Sequence, residues 1–256
     1  MLEQSITALL KRSVQKNMPS GAQLASEAYI KCVGENHGNS AWLKNNFSDL
    51  VERVQITAYE TYLQHEQQAG AGAFREVFLP MVGQNGTAED LMEVIANSFH
   101  NLDRFFLGLT QSRRPRAGAA FEYVLKTLFD KLEYPFSSQV VINGKPDFLL
   151  PSADYYSENA MDCIIFTVKR TLRERWRQIV TEGTRGLGFF LATIDEQIKV
   201  NDLDAMKESR IYLVVPKRLK IDIDLYANAI NVLSFEDFFQ NHLDPAMTRW
   251  KRQGVI

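Results

Sequence analysis

The sequence predicts an α/β protein of the α+β type, in which a mixed central sheet flanked by helices follows an all-α N-terminal subdomain. Residues 1–110 repeat apolar side chains at helical spacing. From about residue 139, short apolar runs alternate with helical segments, which is typical of a mixed or parallel sheet covered on both faces. A basic joint containing proline and glycine, Ser112–Gly118, lies between the two patterns. We therefore predict a helical subdomain over residues 1–110 and a sheet-containing domain over residues 111–256.

The N-terminal half is expected to form helices, each marked by an apolar stripe or by a cap. Thr87 followed by Asp90 fits an N-terminal cap. The alternating segment Ala69–Ala73 is expected to end a helix, because glycine is unfavourable in helix interiors. The expected helices lie around Ile6–Val14, over Ala22–Val33, from Asn39 or Ser40 to about Gln67, and from Thr87 through Phe99.

The C-terminal half is expected to open with a helix from about Ala119 to Leu132 and then to build the sheet. Asn143-Gly144 is the dipeptide that best fits a two-residue type I′ turn, so it predicts a hairpin. Three later apolar runs predict buried strands. The predicted strands are Gln139–Ile142, Pro146–Leu150, Cys163–Val168, Leu187–Ala192 and Ile211–Val215.

Composition and charge restrict the function only loosely. The formal net charge of −2 does not favour nucleic acid, so a DNA-binding function must rest on where the charges lie. Cys32 and Cys163 lie in apolar segments without a metal-binding spacing, and we expect buried free thiols in a reducing compartment. No charged-then-apolar leader opens the chain, and no apolar run approaches the ~20 residues that span a bilayer. These features predict a cytoplasmic protein that does not insert into membranes.

An acid and a lysine at the ends of two predicted strands form the candidate catalytic site. Asp147 follows a proline at the start of one strand, and Lys169 ends the next. A carboxylate can hold a divalent cation on a scissile phosphate, because hard cations take oxygen ligands. A lysine can orient the attacking water and offset developing negative charge. The pattern predicts phosphodiester hydrolysis, although alone it often arises by chance and its force comes from its neighbours.

The densest arginine cluster of the chain follows Lys169 directly. Thr171 and Glu174 have the spacing of a capping box, so we expect a helix to start here and to run to about Glu182. Arginine paired with guanine and a carboxylate that accepts from cytosine are side chains that read G·C pairs. Arg173-Glu174-Arg175 is therefore a candidate base-reading segment. The alternative is that Glu174 only caps the helix and that the arginines only neutralise phosphate.

Taken together, these motifs resemble the EcoRII/SsoII-type type II restriction endonucleases, a branch of the PD-(D/E)XK nuclease superfamily. The likeness covers about residues 111–242. The segments that carry it are Ser112–Glu122, Lys145–Ser152, Val168–Glu182 and Leu213–Pro216. The resemblance implies a restriction-endonuclease-like PD-(D/E)XK core with a mixed central sheet flanked by helices.

The resemblance also implies catalytic residues. The family's helix glutamate, its aspartate after proline and its strand lysine fall on Glu122, Asp147 and Lys169. Glu182 stands where the family has a second carboxylate, so that Asp147 and Glu182 would be the metal ligands. Thr167 departs from the wider nuclease pattern, because the usual second acid would lie there. The alternatives are that Glu182 merely ends a helix and that Glu122 is a solvated helix acid.

DNA contacts are implied at five positions. The family's Arg-Glu-Arg segment matches Arg173, Glu174 and Arg175, and a family tyrosine matches Tyr156, which could equally be a packed loop aromatic. Arg116 in the basic joint completes the set.

The implied function is Mg²⁺-dependent cleavage of double-stranded DNA, with one or two metal ions, at a short palindrome with CC and GG ends. A two-fold site matches a homodimer in which each subunit cuts one strand. A cytosine methyltransferase would be a genetic, not a physical, partner, in the cytoplasm of a bacterium or an archaeon. Two alternatives stay open: a repair nuclease of the same fold without strict site preference, and a catalytically silent DNA-binding module.

Several other residues are weaker candidates for DNA contact. Relatives of this family use N-terminal helices for dimerisation and for clamping DNA, and some flip the central base pair. Trp42, Tyr59 and Tyr62 are candidates for holding such a base, although a core role is favoured for each. The basic residues near the C-terminus are candidates for phosphate contact, with surface solvation favoured. These residues are Lys217, Arg218, Lys220, Arg249, Lys251 and Arg252.

Overall fold

A computed structural model describes residues 5–142, 145–172 and 188–256, with the backbone alone described for residues 114–118. Helices dominate the N-terminal half and surround a sheet in the C-terminal half. The α-helices described are α1 Ile6–Asn17, α2 Gly21–Val33, α3 Ser40–Asn45, α4 Phe47–Val82, α5 Ala88–Asn97, α6 Phe99–Lys131, α7 Ala153–Asn159, α8 Val200–Glu208, α9 Lys217–Asp222, α10 Asp224–Asn228, α11 Phe235–Phe238 and α12 Asp244–Arg252. Short 3₁₀ segments cover Gly34–Gly38 and Ala160–Asp162, and a π-helical turn covers Phe239–Leu243.

A mixed sheet forms the centre of the C-terminal half, as predicted. Its spatial order is the order of the chain, β1 to β6. The β1–β2 and β2–β3 pairs are antiparallel, whereas β3, β4, β5 and β6 run parallel. The strands are β1 Ser137–Ser138, β2 Phe148–Leu150, β3 Ile164–Val168, β4 Gly188–Ala192, β5 Ile211–Val215 and β6 Val232–Ser234. Strands β3, β4 and β5 are largely apolar and almost fully buried, because helices cover both faces of the sheet.

Two apolar clusters enclose the sheet. The first joins α2, α3 and the start of α4 to the last turns of α6 and to one face of the sheet, and Phe129 contacts the rings of Phe47, Phe148 and Phe166 there. The second covers the other face and includes Leu172. The N-terminal helices therefore complete the core of the sheet, and the division at residue 110 stays a prediction about domain organisation.

The alanine-glycine segment does not end a helix, contrary to expectation. α4 runs without interruption from Phe47 to Val82. Ala69 and Ala73 are buried and pack with Val77 and Phe78 in a third cluster that also contains residues of α1 and α6. Each glycine costs about 1 kcal/mol relative to alanine in a helix. Tertiary packing of the small alanines offsets that cost.

The basic joint is also helical. α6 continues from Phe99 to Lys131 and passes through Ser112–Gly118, so the predicted break in helical structure at this segment is wrong. On either side of the segment the helix is held by burial, with Phe105 in the third cluster and Phe121 in the first. Packing at both ends outweighs the weak helix preference of the proline and glycine between them.

The first hairpin has a different register from the predicted one. Ser137 pairs with Leu149 and Ser138 pairs with Phe148, so the predicted strand Gln139–Ile142 is wrong: these residues follow the strand instead of forming it. Asn143 and Gly144 lie outside the described part of the chain, and the turn predicted there stays a prediction. The register follows the burial of Phe148, Leu149 and Leu150 against β3. Within the described residues, no helix is both long and apolar enough to cross a membrane.

Candidate active site

Antiparallel pairing of β2 with β3 brings two predicted catalytic residues together. Phe148 pairs with Phe166, and continuing that register places Asp147 opposite Thr167. Lys169 directly follows β3, and its backbone N–H still donates to the parallel neighbour β4, at 2.9 Å. Asp147, just before β2, and Lys169, just after β3, therefore lie at the same end of the sheet.

The Asp147 carboxylate is 7% exposed and accepts three hydrogen bonds on one oxygen. Its Oδ2 accepts from Thr167 Oγ1 at 2.8 Å, from the backbone N–H of Val168 at 2.6 Å and from Lys169 Nζ at 3.3 Å. A buried carboxylate needs such donors, since an unpaired buried charge is strongly unfavourable. The Lys169 side chain remains partly exposed, so its ammonium can reach both Asp147 and a phosphate outside the protein.

Glu122 lies on α6, beside the apolar stripe that packs on the sheet. Gln139 Nε2 donates to Glu122 Oε1 at 3.0 Å. Burial, and next the negative charge of Asp147, raise the pKa of Glu122, whereas the Gln139 hydrogen bond and the Lys169 charge lower it. The three predicted groups Glu122, Asp147 and Lys169 thus lie close enough to act on one another electrostatically. Glu122 is half-buried, and its catalytic role stays a prediction.

The carboxylate oxygens of Asp147 and Glu122 are suitable ligands for a hard divalent cation. Among the described residues, no group of three His, Cys, Asp or Glu side chains is placed to hold a metal ion. Asp147 Oδ2 is taken by its three donors, whereas Oδ1 accepts no hydrogen bond within the described chain. Carboxylate oxygens are the ligands that Mg²⁺ prefers. A cation bound here would also relieve the repulsion that raises the pKa of Glu122.

Most residues predicted to contact DNA, and the second predicted metal ligand, cannot be placed. Arg173, Glu174, Arg175 and Glu182 lie outside the described residues, and Arg116 is described only as backbone within α6.

Tyr156 is described, half-buried on α7 and packed beside the second apolar cluster. The assignments of all these residues, including contact of Tyr156 with DNA, remain predictions.

Three of the six basic residues near the C-terminus have partners within the protein. Arg218 bridges Glu52 and Glu196 at 2.8 and 3.2 Å. Lys220 donates to backbone carbonyls at the end of α10, and Arg249 contacts Asp162 at 2.6 Å. These contacts give Arg218, Lys220 and Arg249 structural roles.

The predicted thiols are free, without a disulfide between them. Cys163 is fully buried, and burial raises its pKa to about 12, with a further contribution from Asp162. Cys32 is half-buried and contacts Thr57.

A cavity of about 680 Å³ lies beside the site, between the N-terminal helices and the segment that follows β3. Tyr59, Tyr62, Arg113 and Arg170 are among the residues that line it. Tyr62 is buried and donates its hydroxyl to Glu66, which also accepts from Arg113. Tyr59 is 43% exposed, whereas Trp42 packs against the first apolar cluster. A core role is therefore supported for Tyr62 and Trp42, and Tyr59 is accessible from the cavity.

The residues that hold the candidate site in place were not predicted from the sequence. Gln139 orients Glu122, Thr167 donates to Asp147, and Thr193 and Asp195 contact the backbone after Lys169. A signal was present for the last two, because polar side chains that follow an apolar parallel strand lie at the carboxyl edge of the sheet, where ligands bind in open α/β folds. Gln139 carries no such signal, since its contact depends on the register of β1.

Two curated relatives match about half of the chain. The sequence is 32% identical over 140 residues to the type II restriction enzyme EcoRII of Escherichia coli, covering 50% of this chain and 34% of that protein. It is 31% identical over 153 residues to the type II restriction enzyme SsoII of Shigella sonnei, covering 54% of this chain and 48% of that protein. The chain thus matches less than half the length of these curated relatives.

Solved structures share the fold over nearly the whole chain. Metal-depleted Ecl18kI in complex with uncleaved, modified DNA superposes with a TM-score of 0.79 and 23% identity, covering 96% of this chain and 84% of that chain. The restriction endonuclease PspGI in a substrate DNA complex gives a TM-score of 0.62 and 21% identity, covering 90% and 94%. The fold is therefore the PD-(D/E)XK fold of restriction endonucleases. The family model for the EcoRII C-terminal region matches residues 79–239, more than half of the sequence, and on that evidence the chain belongs to the EcoRII C-terminal family.

Proposed function

We propose that this protein is a type II restriction endonuclease that uses Mg²⁺ to cut both strands of DNA at a short palindrome with CC and GG ends, of the CCNGG, CCWGG or CCGG type. One observation carries the proposal: Lys169 Nζ lies 3.3 Å from Asp147 Oδ2, where β2 begins and β3 ends. Membership of the EcoRII C-terminal family and the DNA-bound state of the structural neighbours support it.

In this proposal each residue has a separate task. Asp147 would hold the cation, and its Oδ2 keeps its bonds to Thr167 and Val168. When bound, Mg²⁺ polarises the scissile phosphate as a Lewis acid. Lys169 orients the attacking water and offsets the charge that develops on the phosphate. Glu122, held by Gln139, and Glu182 supply further carboxylates, with room for one or two metal ions.

The specificity is proposed to come from Arg173-Glu174-Arg175. This segment begins one residue after Leu172, which is buried in the second apolar cluster beside the site. Arg116 and Tyr156 are proposed to contact DNA beside the segment. Two-fold symmetry of the site requires two active sites, so we propose a homodimer, with a cytosine methyltransferase as a genetic partner in a bacterial cytoplasm.

Digestion of unmethylated phage DNA tests this function directly. We expect discrete fragments in Mg²⁺ and none in EDTA, and sequencing of the ends should give one palindrome with CC and GG ends. Asp147→Asn is the control for contaminating nuclease. A ladder without preferred ends would favour the repair-nuclease alternative. Absence of cutting together with retained DNA binding would favour the silent binding module.

The proposed homodimer has its own test. Sedimentation velocity with a short cognate duplex in Ca²⁺, which is expected to support binding without cleavage, should give two protein chains per duplex. One chain per duplex would contradict the dimer without contradicting the nuclease function.

A further inference from the structure

The chain that follows Lys169 is held by the loop after β4. Beyond the strand, Arg170 O accepts a hydrogen bond from Thr193 Oγ1 at 3.1 Å. The backbone N–H of Leu172 donates to Asp195 Oδ2 at 2.8 Å. The Leu172 side chain is 1% exposed within the second apolar cluster. Three contacts therefore hold the chain between Lys169 and Leu172: one at the backbone of Arg170, one at the backbone of Leu172 and one at the Leu172 side chain.

The loop that holds this path is itself tightly held. Thr193 is fully buried, its backbone N–H donates to β5 at 3.0 Å, and its hydroxyl oxygen accepts from the Asp195 backbone N–H at 3.1 Å. Asp195 Oδ1 accepts from the backbone N–H of Gln197 at 3.0 Å. Both carboxylate oxygens of Asp195 thus have backbone partners, one within its own loop and one in the segment after Lys169.

The hydroxyl of a buried tyrosine, Tyr226, forms hydrogen bonds with the backbone of the same loop. The Tyr226 hydroxyl donates to the backbone carbonyl of Asp195 and accepts from the Ile198 backbone N–H at 3.4 Å. Tyr226 is fully buried, and burial raises its pKa to about 12, so the hydroxyl keeps its proton in the neutral range. The loop at residues 193–198 is consequently tied to the core by hydrogen bonds and by the burial of Thr193 and Ile198, although Glu196 and Gln197 are exposed.

We propose that Asp195, assisted by Thr193, is a positioning residue for site-specific cleavage. It fixes the point at which the chain leaves the sheet after Lys169, and it thereby sets the register between the catalytic pair and the residues that follow Leu172. The inference rests on the proposed function, since it concerns the coupling of base reading to cutting. Removal of the carboxylate leaves the Leu172 N–H without its acceptor, so that the bond from Thr193 to Arg170 is the one described hydrogen bond that still joins the segment to this loop.

The test compares Asp195→Ala, Asp195→Asn and Thr193→Val with the wild type. Single-turnover cleavage in Mg²⁺ is measured on a cognate duplex and on a duplex with one outer base pair changed. Misplacement of a reacting group by about 1 Å can lower a rate by about 10²-fold. We therefore expect Asp195→Ala to cleave the cognate duplex about 10²-fold more slowly than the wild type. The ratio of its cleavage rate on the cognate duplex to that on the altered duplex should also be smaller. Asp195→Asn keeps an acceptor oxygen and should restore part of both quantities.

The controls separate positioning from a loss of stability. Asp204→Ala, at an exposed position of α8, should match the wild type in rate and ratio. Thermal melting of each variant checks the fold, and Thr193→Val gives a second variant that should change the rate and the ratio in the same direction. Amide hydrogen exchange of the peptide that contains Leu172 should speed up in Asp195→Ala, in a measurement that needs no catalysis.

Two outcomes would overturn the inference. In the first, the wild type cuts at one site and Asp195→Ala has the same cleavage rate on the cognate duplex and the same ratio of rates between the two duplexes. This result contradicts the positioning role of Asp195 and leaves the proposed function intact. A wild type that cuts no DNA refutes the proposed function and the inference with it. In that case the exchange of Leu172 still reports whether Asp195 holds the segment.

Discussion

Thr167 donates its hydroxyl to Asp147 at 2.8 Å, at the position where the wider PD-(D/E)XK pattern has a second acid. The hydroxyl stabilises the charged form of Asp147 instead of adding another negative charge beside it. Thr167 is fully buried together with Val168 in the same strand, so a carboxylate there would be desolvated and repelled by Asp147. The second acid of this site must therefore come from another element, and Glu122 and Glu182 are the candidates.

Replacement of Asp147 or Lys169 should abolish cutting. Loss of a metal ligand or of the lysine is expected to lower the rate by about 10³-fold or more. Asp147→Ala would also leave the Val168 N–H and the Thr167 hydroxyl without an acceptor, at about 1–3 kcal/mol, so Asp147→Asn is the better variant. Single-turnover cleavage in Mg²⁺, with melting curves for each variant, checks this. Near wild-type rates in either position would contradict the active-site assignment.

Glu182→Ala should lose Mg²⁺-dependent cutting while still binding its DNA. Calcium is expected to support that binding without cleavage. Thr167→Val is the matched variant, since it removes the hydroxyl but leaves Asp147 its bonds to Val168 and Lys169. It should lose about 1 kcal/mol of stability and keep measurable cutting. Normal cutting by Glu182→Ala together with an inactive Thr167→Val would show that the second acid is not Glu182.

Glu122→Gln should stabilise the metal-free protein at alkaline pH. Burial and the Asp147 charge raise the pKa of Glu122, so its ionisation disfavours the folded state at pH values above that raised pKa. Below the ordinary pKa of glutamate the group is protonated in both states, and the gain should vanish. Melting in EDTA from pH 8 down towards pH 4 measures the effect, with Glu208→Gln on α8 as an exposed control. A gain that grows as pH falls would contradict the assignment.

Base reading by Arg173-Glu174-Arg175 should appear as a specific loss of affinity. An arginine bidentate to guanine contributes about 1–3 kcal/mol of discrimination at one base pair. Arg175→Ala or Glu174→Ala should therefore weaken binding to the cognate duplex far more than to random duplex at the same salt. Lys251→Ala, at an exposed position, should weaken both about equally or leave both unchanged. Equal losses of affinity for cognate and random duplex in both substitutions would mean that the segment only holds phosphate.

Glu174→Ala has a second effect that needs its own control. Loss of a helix cap costs about 0.5–2 kcal/mol of stability, which could lower affinity indirectly. Melting of the free protein beside the titration separates capping from base reading.

Tyr59 should contact a base that leaves the duplex, because it is accessible from the cavity beside the site. A 2-aminopurine at the centre of the cognate duplex should become more fluorescent when the wild type binds in Ca²⁺. Tyr59→Ala should change that signal, whereas Ile30→Ala, an exposed residue of α2, should not. An unchanged spectrum on wild-type binding would mean that the central pair stays stacked.

The sequence predicted the buried parallel strands β3, β4 and β5 well, whereas β1, β6 and the connections were predicted poorly. The apolar runs at Ile164–Val168 and Ile211–Val215 are strands within one residue of expectation, because continuous β-branched and aromatic residues suit a buried parallel sheet. The helix through Ser112–Gly118 and the register of Ser137–Ser138 depend on tertiary packing, which local preference does not report. β6 at Val232–Ser234 was missed, since three residues give too short a pattern.

The same division holds for the site. Asp147 and Lys169 are fixed by strand ends that a sequence pattern can locate. The bonds that hold the residues around them, from Thr193 to Arg170 and from Gln139 to Glu122, join positions 23 and 17 residues apart in the chain. Such contacts leave no periodic trace in the sequence.

The unbroken helix α6 connects the N-terminal helices to the candidate active site. Its 33 residues span about 50 Å at 1.5 Å per residue. Phe105 packs in the third apolar cluster, Glu122 lies close enough to Asp147 for that charge to raise its pKa, and Phe129 packs in the first apolar cluster against the sheet. A hinge at residues 112–118 would require breaking backbone hydrogen bonds within this rod. If the N-terminal helices move when DNA binds, an unbroken α6 would carry that movement to Glu122, whose pKa already responds to the charge of Asp147.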